Sequence, residues 1–302
     1  MEILIDASAL KESACLRRFN YMVVQGYRES VDGSYKAAYG NAMHRALKAF
    51  YSGENLAKAI DLAVAYYEPY TQFIPQNEWR TPIHLIKSIR YYYRVGYPFK
   101  LLTDNDNKPV LEVKFKIPYL KHTTMSNITD IYLVGTIDLI SDYEGTVCLV
   151  DHKTHAPFHK GQSALSKFFK EYELSIQGMF YSWCYNQLTK QGYLPLVING
   201  LFLYKNTFNE DGKFDGLQIS QSQIITYPQS VMEEFITWAH QQIGLLVEML
   251  DAHYIKPNFT CCNGRFYPCK FFDYCKLPEQ IQTQAIEANM QRITYNPLAF
   301  QD

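Results

Sequence analysis

Asp138 closes the segment Gly135-Thr-Ile-Asp138, and after twelve intervening residues comes Asp151-His-Lys153. Asp138 lies within one apolar run, Ile131 to Ile140, and Asp151 closes the next, Thr146 to Val150. If the two runs pair as a hairpin through Asp142 to Gly145, their carboxylates converge at one end. A carboxylate at the end of a buried strand is costly unless it is paired or holds a cation, and two together repel. A hard divalent metal such as Mg²⁺ answers both problems, because it prefers oxygen ligands. Lys153 is two residues past Asp151, so on a strand the two side chains share a face. An ammonium there can orient a water and offset charge developing on a phosphate. The set suits metal-assisted phosphodiester hydrolysis. The plainer reading of the same residues is an Asp–Lys ion pair at a strand end beside a turn-adjacent Asp.

Around this set stand Tyr39-Gly40-Asn41-Ala42-Met43-His44 upstream, Glu112 in Leu-Glu-Val-Lys-Phe, and Gln177-Gly-Met-Phe-Tyr181 downstream. Gln177 and Tyr181 are four apart and share a helix face. Gly135-x-x-Asp138 followed by Asp151-x-Lys153 resembles motifs II and III of the PD-(D/E)XK nuclease superfamily. More specifically it is similar to the RecB-like exonuclease branch, which includes the CRISPR adaptation nucleases. The G-x-x-x-H, first-strand acidic and Q-x-x-x-Y segments lie in the order that branch has them. The departure is Asp151 where many members carry Glu, and the family tolerates either. The resemblance implies that His44, Asp138, Asp151 and the backbone carbonyl of His152 hold Mg²⁺ or Mn²⁺. It implies that Lys153 positions the attacking water, that Glu112 is the acidic residue of the first core strand, and that Gln177 and Tyr181 orient the lysine or the DNA.

Seven cysteines are present, and Cys261, Cys262, Cys269 and Cys275 fall within fifteen residues. An odd count without an export signal argues against a disulfide framework, and clustered thiols suit a metal. Cys148 and Cys184 sit in apolar company and read as small core residues. A self-contained zinc site would use all four late cysteines, but neighbouring side chains diverge, so one of the adjacent pair is spare and a fourth ligand comes from elsewhere. The segment Ser8 to Tyr21, with Cys15 inside it, resembles the N-terminal signature of the iron–sulfur members of the branch. That resemblance implies a 4Fe-4S cluster on Cys15, Cys262, Cys269 and Cys275, with Cys261 as the alternative to Cys262. Zinc or free thiols are the alternatives to the cluster.

The elements that must position these groups can be read from periodicity. Helices are expected from Ser8, as cap, to Val24, over Tyr35 to Tyr51, Asn55 to Tyr70 and Pro82 to Tyr97. Strands are expected over Val110 to Pro118, Ile131 to Ile140, Thr146 to Val150, Leu196 to Tyr204 and Gly216 to Thr226, with helices over Glu171 to Gln191 and Gln229 to His253. A Cys-rich loop and a polar tail complete the chain. This is one α/β domain over 1–302: a helical part (1–105), a catalytic sheet core (106–228), and a C-terminal helix with the Cys-rich segment (229–302). The resemblance makes the core restriction-endonuclease-like, a central mixed sheet flanked by helices. The tyrosines Tyr66, Tyr67, Tyr91, Tyr92 and Tyr93 read as helix packing with a wet phenol tip, or as base-stacking groups.

The 302 residues carry 29 Lys plus Arg against 30 Asp plus Glu, a net charge of −1, which excludes a polycationic nucleic-acid coat but not an enzyme with a local basic cleft. At 47% hydrophobic and 20% charged, the composition is globular rather than disordered. No run approaches a membrane span of roughly 20 residues, and the N-terminus lacks the basic start of a secretory signal, so a cytoplasmic protein is expected, bacterial or phage-encoded. Arg17 and Arg18 beside Cys15, with Lys114, Lys116, Lys121, Lys160, Lys167 and Lys170, are candidates for a backbone-binding cleft, or simply solvated faces. No phosphate-binding G-x-x-x-x-G-K-[ST] loop is present, so no motor is expected. The expected function is a metal-dependent deoxyribonuclease, exonucleolytic on single strands or DNA ends as the resemblance implies. Its setting would be recombination, repair, replication, CRISPR adaptation or phage DNA metabolism. The rival is an iron–sulfur- or zinc-stapled DNA-binding subunit with a weak site.

Overall fold

The computed structural model describes residues 2–28, 35–96, 98–123, 128–155, 162–203, 220–252, 255, 257–262 and 268–298. The chain opens with β1 (Glu2–Ile5), which the sequence pattern did not suggest. Asp6 rather than Ser8 caps α1 (Ala7–Glu12), its carboxylate accepting from the Ala9 amide at 2.7 Å. The helix expected to run unbroken to Val24 is interrupted at Ser13–Cys15. It resumes as α2 (Leu16–Phe19) and a π-helical turn (Asn20–Val24), then gives way to β2 (Tyr27–Arg28).

Three longer helices follow: α3 (Tyr35–Tyr51) as expected, α4 (Leu56–Tyr67), which gives way to a 3-10 turn (Glu68–Phe73) short of Tyr70, and α5 (Pro82–Val95), with Tyr97 outside the described residues. Asn55 and Thr81 cap the last two, and Gly96 at φ 78° ends α5. Next come β3 (Lys100–Leu101), β4 (Leu111–Thr123), β5 (Ile128–Tyr143) and β6 (Thr146–His155). Glu144 and Gly145 are both left-handed and join β5 to β6 in a two-residue turn, the kind that matches strand twist. β6 does not stop at Asp151 but continues four residues beyond it, to His155.

α6 (Gln162–Lys170) precedes α7 (Ile176–Thr189), which starts at the Ser175 cap rather than at Glu171. β7 (Leu196–Phe202), β8 (Ser220–Ile225) and α8 (Gln229–Ala252) follow. Tyr204, residues 216–219, His253 and Lys160 lie outside the described residues. The tail folds as α9 (Phe272–Cys275), α10 (Glu279–Asn289) and β9 (Gln291–Arg292), the last pairing with β2. No helix among the described residues is long and apolar enough to cross a membrane.

The seven-stranded sheet is mixed and divides at β5. β4 runs antiparallel along one edge of β5, and β3 extends that edge. The opposite edge is shared by two strands. β1 lies parallel to Asp130–Leu133, and β6 lies antiparallel to Leu139–Tyr143. Beyond Val150, β6 leaves β5 and continues its pairing with β7, which in turn pairs with β8. Asp138 is the first residue of β5 past the last paired position, so it stands at the mouth of the fork. The sheet is covered on both faces. α3, α4 and α5 pack on Leu139, Cys148, Val150, Val197 and Leu201. α1, α6, α7 and α8 pack on the other side, where Ile137, Ile140, Leu149, Leu196 and Ile198 are buried. Cys148 and Cys184 are buried core residues, as expected.

Candidate active site

Where β5 and β6 part, the ladder bond that would continue the hairpin is replaced. The His152 amide donates to Asp138 Oδ2 at 2.8 Å. The same carboxylate oxygen lies 3.3 Å from His44 Nδ1, brought in by α3 from the helical layer. Burial opposes ionisation of Asp138, but the His44 charge, its hydrogen bond and the His152 dipole outweigh it, so the carboxyl is held well below the usual range. His44 is the reciprocal case: burial lowers its pKa, Asp138 raises it by more, and the net shift is upward.

Asp151 and Lys153 share one face of β6, and Lys153 Nζ lies 2.8 Å from Asp151 Oδ2. The ammonium also donates to Gln177 Oε1 at 2.9 Å, and Gln177 Nε2 donates to the Tyr181 hydroxyl at 3.3 Å. A chain of four groups thus runs from β6 onto α7, whose four-residue spacing puts Gln177 above Tyr181. Gly135 is what lets Tyr181 settle on the sheet. A Cβ there would lie 2.6 Å from Phe115 Cζ and 3.2 Å from Tyr181 Cε1. Burial pushes Asp151 up in spite of Lys153, with Asp138 adding to the push. Burial lowers Lys153, but Asp151 and Asp138 together raise it above its ordinary value, so it stays a cation.

Glu112 enters from β4 with a left-handed backbone, φ 48°, a conformation uncommon for a residue with a side chain. It is raised by burial and by the nearby Asp138 charge, while Lys48 at 3.6 Å and His44 lower it. Buried Asp151 Oδ2 and Glu112 Oε2 both lack a directed hydrogen bond, although each has its ion-pair partner. Such under-satisfied carboxylate oxygens, beside an imidazole, fit a hard divalent cation in chemistry. No group of three or more His, Cys, Asp or Glu among the described residues already stands in a coordinating arrangement.

The side chain of His152 points the other way, into the layer of α3–α5. It stacks on Tyr51 with centroids 5.3 Å apart, and its Nδ1 lies 2.9 Å from Asn199 Nδ2. Asn199 also donates to the Tyr92 hydroxyl at 3.0 Å and accepts from Ser222 at 3.1 Å. This buried polar network fixes the peptide whose amide faces Asp138. Reading motifs did not find it. The signal was available, since Asn199 is a polar residue in the otherwise apolar run Leu196–Phe202, every position of which is buried. Tyr67 and Tyr92 are likewise buried packing residues.

Elsewhere the cysteines gather. Burial raises Cys262, and Cys15 and Cys269 raise it further; Cys275 is raised by burial and by the same two thiols, against Arg17. Cys261 also raises Cys262, and both thiols of the adjacent pair face a carbonyl: Cys261 that of Ala14 at 3.5 Å, Cys262 that of Asn258 at 3.8 Å. Four thiols are the donor type that iron or zinc takes, but no three of them stand in a coordinating arrangement among the described residues. Arg17 contacts the Ile255 carbonyl at 3.4 Å and hydrogen-bonds Cys275, while Arg18 pairs with Glu12. Arg17 therefore serves the contact between the two ends of the chain and Arg18 a local ion pair, and none of those partners belongs to the carboxylate set.

A helix-covered mixed sheet that forks at a buried carboxylate, with a second carboxylate and a lysine on the diverging strand, is the architecture of a restriction-endonuclease-like hydrolase. The chain belongs to the PD-(D/E)XK nuclease superfamily, whose family model matches residues 8–276. It is a hydrolytic nuclease by that membership. No curated protein matches its sequence significantly. Among solved structures, a crystal structure named "Putative exonuclease", from Eubacterium rectale, is similar at 12% identity and a TM-score of 0.49, over 89% of this chain and 92% of that one.

Proposed function

We propose that this chain is a Mg²⁺- or Mn²⁺-dependent deoxyribonuclease of the RecB-like kind, acting on single strands or DNA ends. The observation that carries the reading is the convergence of His44, Glu112, Asp138, Asp151, Lys153, Gln177 and Tyr181 on the fork of one sheet. His44, Asp138, Asp151 and the His152 carbonyl would hold the ion, with Glu112 beside them. Once bound, a divalent ion supplies a Lewis acid for the phosphate oxygens and lowers the pKa of water.

The chain's own groups do the rest. Gln177, itself braced by Tyr181, holds the Lys153 ammonium toward Asp151. Kept protonated by its carboxylate neighbours, Lys153 orients the attacking water and offers positive charge to the phosphate as negative charge builds in the in-line displacement. The His152 amide holds Asp138 in place, and the buried Asn199 network keeps that amide aimed.

Labelled single-stranded DNA with Mg²⁺ or Mn²⁺ tests the assignment. Lys153→Ala is expected to lower the cleavage rate by about 10²–10⁴-fold at unchanged fold. Equal activity in that variant defeats it.

We also infer a 4Fe-4S cluster on Cys15, Cys262, Cys269 and Cys275. Support comes from the Cys15 and Cys269 charges acting on both Cys262 and Cys275, with Cys261, which also acts on Cys262, as the alternative ligand. Anaerobic purification should give a brown protein with a broad visible absorption that Cys15→Ala abolishes. A colourless protein with stoichiometric zinc refutes iron–sulfur.

A further inference from the structure

α3 and β6 run side by side past the carboxylates, and their contacts can be followed residue by residue. The His44 ring lies 6.3 Å from that of His152, and one turn earlier a Cβ on Gly40 would stand 3.3 Å from Thr154 Oγ1. One turn earlier still is Lys36, so Lys36, Gly40 and His44 form one stripe at four-residue intervals. Eight residues of helix put Lys36 about 12 Å beyond His44. There the strand ends at Thr154 and His155, and a cavity of about 250 Å³ opens, lined by Lys36, Tyr39, Trp79, Arg80, Thr154 and His155 over Leu203.

The lining has a definite chemistry. The Arg80 guanidinium lies over the Trp79 ring, 4.5 Å from its centroid, and is held by Glu78 at 2.9 and 3.0 Å. The indole is itself braced edge-on by Tyr39 and His84. This is a fixed flat platform whose charge is balanced by Glu78. Lys36 is exposed and makes no ion pair among the described residues, with its ammonium 5.8 Å above the Tyr35 ring. A flat stacking surface beside an exposed ammonium is what a nucleotide needs: a base for the platform, a phosphate for the lysine.

We propose that this cavity is a nucleotide subsite for single-stranded nucleic acid, holding a residue that flanks the scissile phosphate, with its base stacked on the Trp79–Arg80 platform and its phosphate paired with Lys36. The subsite rests on the nuclease reading above, and extends it from the reacting groups to the strand they act on. Because the platform reads a π-face rather than base edges, the subsite is tolerant of sequence.

Binding of a fluorescein-labelled oligo-dT in EDTA, read by anisotropy, tests the subsite without cleavage. Lys36→Gln should weaken binding about fivefold and reduce the slope of log K against log salt by about 0.7, the value for one single-strand phosphate contact. Lys58→Gln, which removes an exposed charge from α4, should change binding less than twofold. An oligomer with the same number of phosphates but abasic sugars should bind more weakly than oligo-dT, and Trp79→Leu should erase that difference. Equal losses in the two lysine variants, equal binding of abasic and dT strands, or no strand binding by the wild type would each overturn the subsite. Failure of the nuclease reading is seen separately, as metal-independent or Lys153-independent cleavage.

Discussion

His152 shows how much one residue of β6 is asked to do. Its amide serves Asp138, and its ring is sealed between Tyr51 and Asn199 on the far face of the sheet. Burial, followed by the His44 and Lys153 charges and against the Asp138 charge, drops the imidazole from 6.5 to about 4. Between those values the unfolded chain binds a proton that the folded chain refuses. Stability should therefore fall as pH drops from 6.5 toward 4, by on the order of 3 kcal/mol from this group. Thermal unfolding of the metal-free protein between pH 7.5 and 4 measures it. His152→Asn should flatten the slope across that window, and a slope unchanged by the substitution would locate the proton uptake elsewhere.

The elements matter through how closely they approach. β5 and α7 meet where Gly135 leaves room for Phe115 and Tyr181. Gly135→Ala forces its new methyl into the buried Phe115 ring, an overpacking of about 1–3 kcal/mol. The strain falls on the Tyr181–Gln177–Lys153 chain, so activity should drop along with the unfolding midpoint. Phe115→Leu, which clears the contact, should restore part of both. If Gly135→Ala unfolds at the wild-type temperature, the packing account of this glycine is wrong. The same scale explains where periodicity misread the chain. β6 runs on through Asp151-His152-Lys153 because β7 supplies its ladder partners, and no local pattern shows a partner 47 residues away. β1 went unread for the same reason: four residues have no period of their own, and pairing with β5 makes them a strand.

At the scale of the whole molecule, the two chain ends are joined. β2 pairs with β9, the Tyr21 hydroxyl donates to Gln282 at 3.0 Å, and the Tyr27 hydroxyl donates to Glu287 at 2.9 Å. Tyr21, Tyr27, Phe271 and Ile286 form a separate buried cluster beneath them, next to Cys269 and Cys275. Ending the chain before Leu277 uncovers that cluster and leaves the forked sheet intact. The expected result is a lower unfolding midpoint and a first transition separate from that of the sheet core. A truncated chain that unfolds like the full one would show the clamp to be idle. The tail expected to be merely polar is thus a structural element, formed because Ile286 and Gln282 find buried partners near the other end of the sequence.

From its residues alone, the chain settled its α/β class, its three long N-terminal helices and the β5–β6 hairpin, and offered the acidic, basic and thiol candidates. Each of these follows from local periodicity, capping or chemical type. Only the tertiary structure decided that the sheet splits at Asp138, that Glu112 arrives with a strained backbone, that Asn199 and Tyr92 hold His152 from behind, and that Arg17 faces the chain-end contact. Those outcomes depend on distant segments meeting, and which buried polar group each will find is set by the assembled packing rather than by its neighbours along the chain.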